Sequence, residues 1–294
     1  MLQSQLSNTI KRVPDIRNMN DLECSDFLRR YMPALGFRWA GFRKVHGQVC
    51  KRLNRRLDEL GLFGLSSYKG YLDGHPEERR FLDSAFQITI SRFYRDRGVF
   101  DLLRSEILPS MARNILLRGG NTLNCWSAGC CSGEEVYTLQ IIWKCCVAPA
   151  IRQDLSLRIV ATDINRDVLR RAREACYSRS SLRDFPGELV GKSFQRSGEF
   201  YTVRKPFTEN IEFMEQDIRD QLPDGVFHLI LCRNLVFTYF EEALQREILR
   251  RILDKLYPDG IFIIGVHESL PEGSTGFIRY GNVPGIFKKV LRKA

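Results

Sequence analysis

The 294-residue chain has no C-x-x-C pair, no glycine-rich run ending in G-K-[ST] and no complete G-x-G-x-x-G. Zinc ribbons, P-loop phosphate binding and the full dinucleotide fingerprint are therefore not expected. No stretch approaches ~18 uninterrupted apolar residues, and MLQSQLSNTIKRVPDIRNMN at the start has no apolar core. Neither membrane insertion nor export is expected, which leaves a cytoplasmic protein as the expectation. Nine cysteines include the adjacent pairs Cys130-Cys131 and Cys145-Cys146, a spacing that fits no disulfide framework. They read as reduced, mostly buried thiols. Cys125, Cys130 and Cys131 lack metal-ligand spacing, so no metal is expected. His46, His75, His228 and His267 are scattered, no Ser-His-Asp or Cys-His arrangement stands out, and repeats and low-complexity tracts are missing too.

What is present is a chain with 44% apolar residues, enough for a real core. Forty-five Lys and Arg against thirty-five Asp and Glu leave a formal charge of +10, which suits an anionic partner. Residues 1–86 read as a helical, basic N-terminal domain. Its longest expected helix, Trp39 to Leu60, carries Arg43, Lys44, Lys51, Arg52, Arg55 and Arg56 on what reads as one basic surface. Nucleic acid is not the expected partner, because no recognised binding motif or series of stacking aromatics accompanies the charge.

Residues 87–294 read differently. Short apolar runs at Thr122 to Ala128, Leu157 to Thr162, Phe227 to Cys232 and Ile261 to Val266 alternate with helices starting at Glu134, Asn165 and Glu241. That rhythm predicts an α/β fold with a doubly wound, Rossmann-like parallel sheet. Asn165 is the expected N-cap of its helix. Leu244, Ile248, Leu249, Ile252, Leu253 and Leu256 stripe the last helix, with Pro258-Asp259-Gly260 as its expected stop. Ser193 to Phe213 breaks the rhythm and reads as a small antiparallel β insert, a kind of element that can accept an added strand.

The chemistry sits at the strand ends. Trp126-Ser127-Ala128-Gly129-Cys130-Cys131-Ser132-Gly133-Glu134-Glu135 is a tight turn from strand to helix, where small residues admit a ligand and a carboxylate can take an ammonium group. About thirty residues on, Ala161-Thr162-Asp163 ends the second strand with an acid able to bond both hydroxyls of a ribose. Together they suit a nucleoside with a charged amino acid tail.

Phe93-Tyr94-Arg95-Asp96, the 126 to 135 turn, A-T-D-I-N at 161 to 165 and L-C-R-N-L-V-F-T-Y-F at 231 to 240 resemble, in order and spacing, the signatures of the chemotaxis receptor methyltransferase (CheR) family. The likeness covers roughly residues 21 to 290. It implies a class I methyltransferase domain that binds S-adenosyl-L-methionine (SAM), releases S-adenosyl-L-homocysteine (SAH) and methylates glutamate side chains of a receptor. It further implies that Thr89, Ser91 and Arg95 reach the cofactor from the interdomain segment, and that Ala128 and Glu134 line its amino acid end. Asp163 would take the ribose, Asp217 and Ile218 would lie near the adenine, and Arg233 and Asn234 would hold the cofactor at the fourth strand's end. Arg95 and Tyr239 would be catalytic. The chain departs from the family pattern at Thr89, Ser91, Tyr94, Ser132 and Val136, and its Arg233 to Tyr239 segment is one residue longer than in the best-known members.

A glutamate carboxyl, with a reference pKa of about 4.3, is already an oxygen nucleophile at neutral pH, so direct displacement at a sulfonium methyl needs no general base. The absence of a catalytic triad agrees with that. An acidic helical receptor segment is the expected partner of the basic N-terminal domain, and a monomer the expected state. A small carboxylate metabolite as acceptor, or a non-catalytic SAM-sensing module, are the competing readings.

Overall fold

The computed structural model describes residues 20–151 and 154–290, which separate into two compact units, residues 1–88 and 89–294.

The first unit is helical: α1 (Asp21–Tyr31), α2 (Trp39–Phe42), α3 (His46–Leu60), α4 (Gly64–Gly74) and α5 (Glu78–Ala85). Asn20 caps α1 in a capping box with Glu23. The single helix expected from Trp39 to Leu60 is two. Phe42 turns into the core against Phe37 and Phe86, and the chain bends at residues 43–45 before α3 begins. The basic surface is correspondingly smaller than expected. Arg52 donates to the carbonyls of Ala85 and Gln87 at 2.9 and 2.6 Å, and Arg56 pairs with the buried Glu78 at 2.7 Å. Arg43, Lys44, Lys51 and Arg55 stay exposed, Arg55 beside Glu59 at 3.1 Å.

The expectation that all cysteines are reduced is corrected here. Cys24 of α1 and Cys50 of α3 form a disulfide across 26 residues, with Cα atoms 5.9 Å apart. Helix packing brings them together, since Cys50 follows Val49 on the face of α3 that also buries Leu53 and Leu57; spacing along the chain carries no sign of it.

The second unit opens with α6 (Arg97–Leu102), which continues through a π-helical stretch, Leu103–Ile107, into α7 (Leu108–Leu117). There follow β1 (Thr122–Ala128), α8 (Glu134–Ile142), β2 (Ser156–Asp163), α9 (Arg166–Glu174), β3 (Cys176–Ser178), α10 (Gly187–Ser193), β4 (Phe194–Ser197), β5 (Phe200–Val203) and β6 (Ile211–Glu215). The chain ends with β7 (Phe227–Leu231), α11 (Val236–Tyr239), α12 (Glu242–Lys255), β8 (Leu256–Ile263), β9 (Phe277–Arg279) and β10 (Ile286–Lys289). Seven strands form one sheet in the order β6-β2-β1-β7-β8-β10-β9, the first five parallel and β10 antiparallel to both neighbours. This is the doubly wound, Rossmann-like architecture. The chain moves outward from β1 through β2 to β6 and then crosses to β7 on the other side of β1, so the switch point lies between β1 and β7. β1 and β2 are buried almost throughout, as parallel strands covered on both faces must be.

Two boundaries differ from expectation. Ile211 to Glu215 is no part of the insert: it pairs with β2 in parallel at the edge of the main sheet. The insert is instead a three-stranded sheet, β3-β5-β4, recruiting Cys176–Ser178 from upstream. Pro258-Asp259-Gly260 does not terminate α12, which ends at Lys255; it loops out within β8, whose pairing with β7 jumps from Phe227↔Leu256 to Leu229↔Ile261. His228 of β7 is structural, as expected: its Nδ1 accepts from the Asn124 amide at 3.0 Å, its ring stacks on Tyr257, and burial lowers its pKa to about 4.

Thiol titration of the denatured, unreduced protein should find seven of the nine cysteines free, and nine after reduction. Reduction should lower stability by roughly 3 kcal/mol, from the loop entropy returned to the unfolded chain, read as a fall in thermal midpoint. Nine free thiols before reduction would exclude the bond.

Candidate functional site

Three loops meet at the carboxyl edge of the sheet, beside the switch point. The first follows β1. Gly129 (φ 73°), Cys131 (φ 50°) and Gly133 (φ 89°) turn it tightly, and the amides of Gly129 and Cys130 both donate to the Thr162 carbonyl at 2.8 and 3.0 Å. Glycine is required twice over at Gly133, because a Cβ there would lie 3.1 Å from Ala172 Cβ and 3.2 Å from the Tyr137 ring. α8 starts immediately after this turn, with Glu134 first.

Glu134 is 4% exposed. One carboxylate oxygen accepts from Ser132 Oγ at 3.2 Å, yet Oε2 is buried without any hydrogen-bond partner. Burial raises its pKa. A desolvated carboxylate oxygen with nothing to bond is costly unless a cation or donor comes to it.

Asp163 ends β2. Its Oδ1 accepts from the Asn165 amide and its Oδ2 from the Cys131 amide, both at 2.9 Å, so it ties the second loop to the first. Each oxygen keeps a lone pair for a ligand hydroxyl. Burial raises the Asp163 pKa too, against the pull of these amides. The next strand end is adjacent: the Gln216 amide donates to the Asp163 carbonyl at 3.1 Å, and Gln216 Oε1 is another buried atom without a partner. The neighbouring Asp217 carboxylate is taken by Arg219, at 2.6 Å, while Ile218 is buried. Of this pair's surroundings, Gln216 thus has the unused acceptor.

The third loop, after β7, carries Arg233, Asn234 and Tyr239. Arg233, with a side chain 4% exposed, bonds Asp96 at 2.7 Å, Glu135 at 2.8 Å and the Arg95 carbonyl at 2.7 Å, and lies over the Phe100 ring. Its guanidinium therefore clasps the segment around residues 93–96 to the sheet. Asn234 adopts φ 56°, which asparagine tolerates, against Gly265, where a Cβ would stand 2.5 Å from its Nδ2. Tyr239 ends the one-turn α11, its phenol pushed up to about 12 by burial although the Arg95 charge pulls it down.

The clasped segment is held from beneath. Phe93 packs edge-on against Tyr177, Phe185 and Phe194, its amide bonds the Ser181 carbonyl, and the Tyr94 amide bonds Thr138 Oγ1. Left-handed turns at Tyr94 and Asp96 leave Arg95 pointing away from that core, half-buried, with one guanidinium nitrogen on the Ile90 carbonyl at 3.0 Å. Among the described residues no carboxylate pairs with Arg95. Asp96, which might have done so, belongs to Arg233.

Ser91, Arg95, Ala128, Glu134, Asp163, Asn234 and Tyr239 are thus gathered at one edge, with half-buried Thr89 at the start of the unit. Arg233, expected to touch a ligand, has its two terminal guanidinium nitrogens on Asp96, Glu135 and the Arg95 carbonyl, and its Nε is buried without a partner. Sequence reading overlooked Asp96, Glu135 and Glu268. The first two lay inside quoted motifs. Glu268 follows the last parallel strand, and its only signal was an acid just beyond an apolar run, the same signal that marked Asp163. Among the described residues no cluster of His, Cys, Asp or Glu could hold a metal, and no helix is long and apolar enough to cross a membrane.

Residues 89–283 match the family model described as CheR methyltransferase, SAM binding domain. The chain is 31% identical over 234 residues to chemotaxis protein methyltransferase 2 of Pseudomonas aeruginosa, covering 77% of this chain and 79% of that protein. It is 29% identical to the chemotaxis protein methyltransferase of Borreliella burgdorferi, covering 74% and 78%. It is also 27% identical to an uncharacterized 104.1 kDa protein of Rhodobacter capsulatus, of which it spans only 24%. The unpartnered oxygen of Glu134 beside the glycine-lined turn and the remaining lone pairs of Asp163 fit SAM, whose amino acid end and ribose need those features.

Glu134→Gln should weaken SAH binding roughly tenfold to a hundredfold, by calorimetry. The folded-state pKa of Glu134 lies above its unfolded value. The group's contribution to apoprotein stability is therefore full in acid and lost as pH rises through the folded pKa, whereas an ammonium ligand needs the ionised form. SAH affinity should fall on acidification through that window, and the fall should shrink in Glu134→Gln; an unchanged pH profile would remove Glu134 from the ammonium site.

Proposed function

Because this chain belongs to the CheR methyltransferase family and S-adenosyl-L-methionine is its cofactor, we propose that it transfers the cofactor's methyl group to glutamate side-chain carboxylates of a receptor protein, giving glutamyl methyl esters. The observation that carries the reading is Arg95. Arg233 is paired with Asp96 and Glu135 and Arg219 with Asp217, whereas Arg95 has no acid partner among the described residues. An uncompensated guanidinium within electrostatic reach of Tyr239 suits an acceptor that arrives as a carboxylate.

The cofactor, when bound, supplies an electrophilic methyl on a sulfonium. Glu134 holds its ammonium, Asp163 its ribose, and Gln216 with Ile218 borders its adenine. Arg95 and the Tyr239 hydroxyl orient the acceptor carboxylate in line with the methyl, and the buried walls keep water from both. No side chain has to move a proton, because the acceptor is already ionised. Tyr239, with its phenol near 12, stays protonated and acts as a hydrogen-bond donor. The exposed Arg43, Lys44 and Lys51 of the helical unit suit an acidic helical receptor segment, steering it at low salt. The cytoplasm is the compartment this reading implies.

The direct test incubates the protein and methyl-labelled SAM with a bacterial lysate and measures base-labile methyl label on protein. Label confined to small molecules would favour a metabolite acceptor, and no label a non-catalytic role. Arg95→Ala should lower protein methylation about a hundredfold or more, and Tyr239→Phe should lower turnover while leaving SAH affinity within about twofold. Normal turnover in Arg95→Ala would refute its role.

A further inference from the structure

The loop carrying Asn234 and Tyr239 buries Val236, Phe237 and Phe240, and its polar groups are tied down separately. α11 is one turn long, too short to be stable through its own hydrogen bonds, and it enters through the left-handed Asn234. The carboxylate that anchors it comes from across the sheet edge. Glu268 Oε2 accepts from the Asn234 amide at 2.9 Å and the Gly265 amide at 2.6 Å, while Oε1 accepts from the Thr238 hydroxyl. The fit is close, since a Cβ at Gly265 would lie 2.9 Å from Glu268 Oε2.

The two oxygens thus serve different ends of one loop. Oε2 holds the residue facing the cofactor, and Oε1 holds the residue beside Tyr239. We infer that Glu268 is a positioning residue for methyl transfer, setting the distance between the cofactor side of this loop and the acceptor-orienting tyrosine. It touches neither reactant in this account, and it acts through Asn234 and Tyr239. The inference rests on the reading of Tyr239 as the residue that orients the acceptor.

Thr238→Val removes the hydroxyl on Oε1 and leaves the two amides on Oε2 in place. It should lower protein methylation in the lysate assay about tenfold while leaving SAH affinity within about twofold, and should speed amide exchange at 236–239. Glu268→Ala, which removes both arms, should weaken SAH binding as well as turnover. Glu268→Gln can still accept the two amides with its oxygen and offer its NH2 to the threonine oxygen, so it should recover most of both. On a Tyr239→Phe background, Thr238→Val should cost no further turnover.

Wild-type turnover in Thr238→Val, additive losses in the double variant, or unchanged exchange of the 234–239 peptide in Glu268→Ala would each overturn the inference. Failure of the acceptor reading is separately visible: the unmodified protein would then form no base-labile ester, while the exchange and SAH measurements would still decide whether Glu268 holds the loop. If Glu268→Ala does not fold, Thr238→Val and Glu268→Gln decide it between them.

Discussion

The geometry of the site depends on a cation that does no chemistry. Arg233 is almost wholly removed from water, and its two acids come from the segment before α6 and from the start of α8. Three parts of the chain, around residues 96, 135 and 233, are therefore locked at one point. Such an arrangement contributes little net stability, because stripping water from three charges costs about what their attraction returns. Its value is in what it forbids: Arg233 cannot leave without stranding both acids, a loss of about 3–5 kcal/mol. Glu135 is held in turn by Ser127 Oγ at 2.7 Å, which carries the constraint into β1.

That clasp explains the charge pattern around it. Asp96 is adjacent to Arg95 in the chain and would be its natural partner, but Arg233 takes it. Arg95 is thereby held by its backbone, with its carbonyl on Arg233, while its guanidinium keeps its charge available. Acids stand at the same edge. Glu134, Asp163 and Glu268 are three acids at one edge, each with its pKa raised by burial. Two have capacity for a cationic, hydroxyl-bearing cofactor, and the third is satisfied by the protein.

This division also shows what was legible in the sequence. Strand and helix positions in the second unit followed from apolar periodicity, which put Asp163 at the carboxyl end of β2 and Glu134 at the start of α8, where the structure has them. Arg233 could not be assigned that way. An arginine after a strand reads the same whether it faces a ligand or two buried acids, and Asp96 and Glu135 are 137 and 98 residues away from it in the chain. The Cys24–Cys50 bond and the transfer of Ile211 to Glu215 from insert to main sheet were hidden for the same reason. Each depends on a partner that only tertiary packing selects, and local pattern carries no information about it. The basic helix misled in a related way: Arg52 and Arg56 look like surface charge at their spacing, but burial of Leu53 and Leu57 rotates them toward Ala85, Gln87 and Glu78.

The proposed reaction needs little catalytic apparatus. A carboxylate attacking a sulfonium methyl destroys two opposite charges, so the barrier is raised by any solvent that stabilises them separately and lowered by alignment within a dry pocket. A general base would have nothing to accept. What the protein must supply is an acidic wall for the cation, a basic group for the anion, and a fixed separation between them. In the proposed reaction Glu134 and Asp163 would form the first, Arg95 the second, and Arg233 with Glu268 the third. The last two are opposite in sign: Glu268 has both oxygens bonded by protein groups, and Arg233 has its two terminal nitrogens bonded by protein groups while its Nε is buried without a partner. The selection of ionised residues for purely geometric work follows from the neighbourhood, since backbone amides, hydroxyls and charged side chains crowding a strand edge are held more rigidly by a buried charge than by any apolar contact.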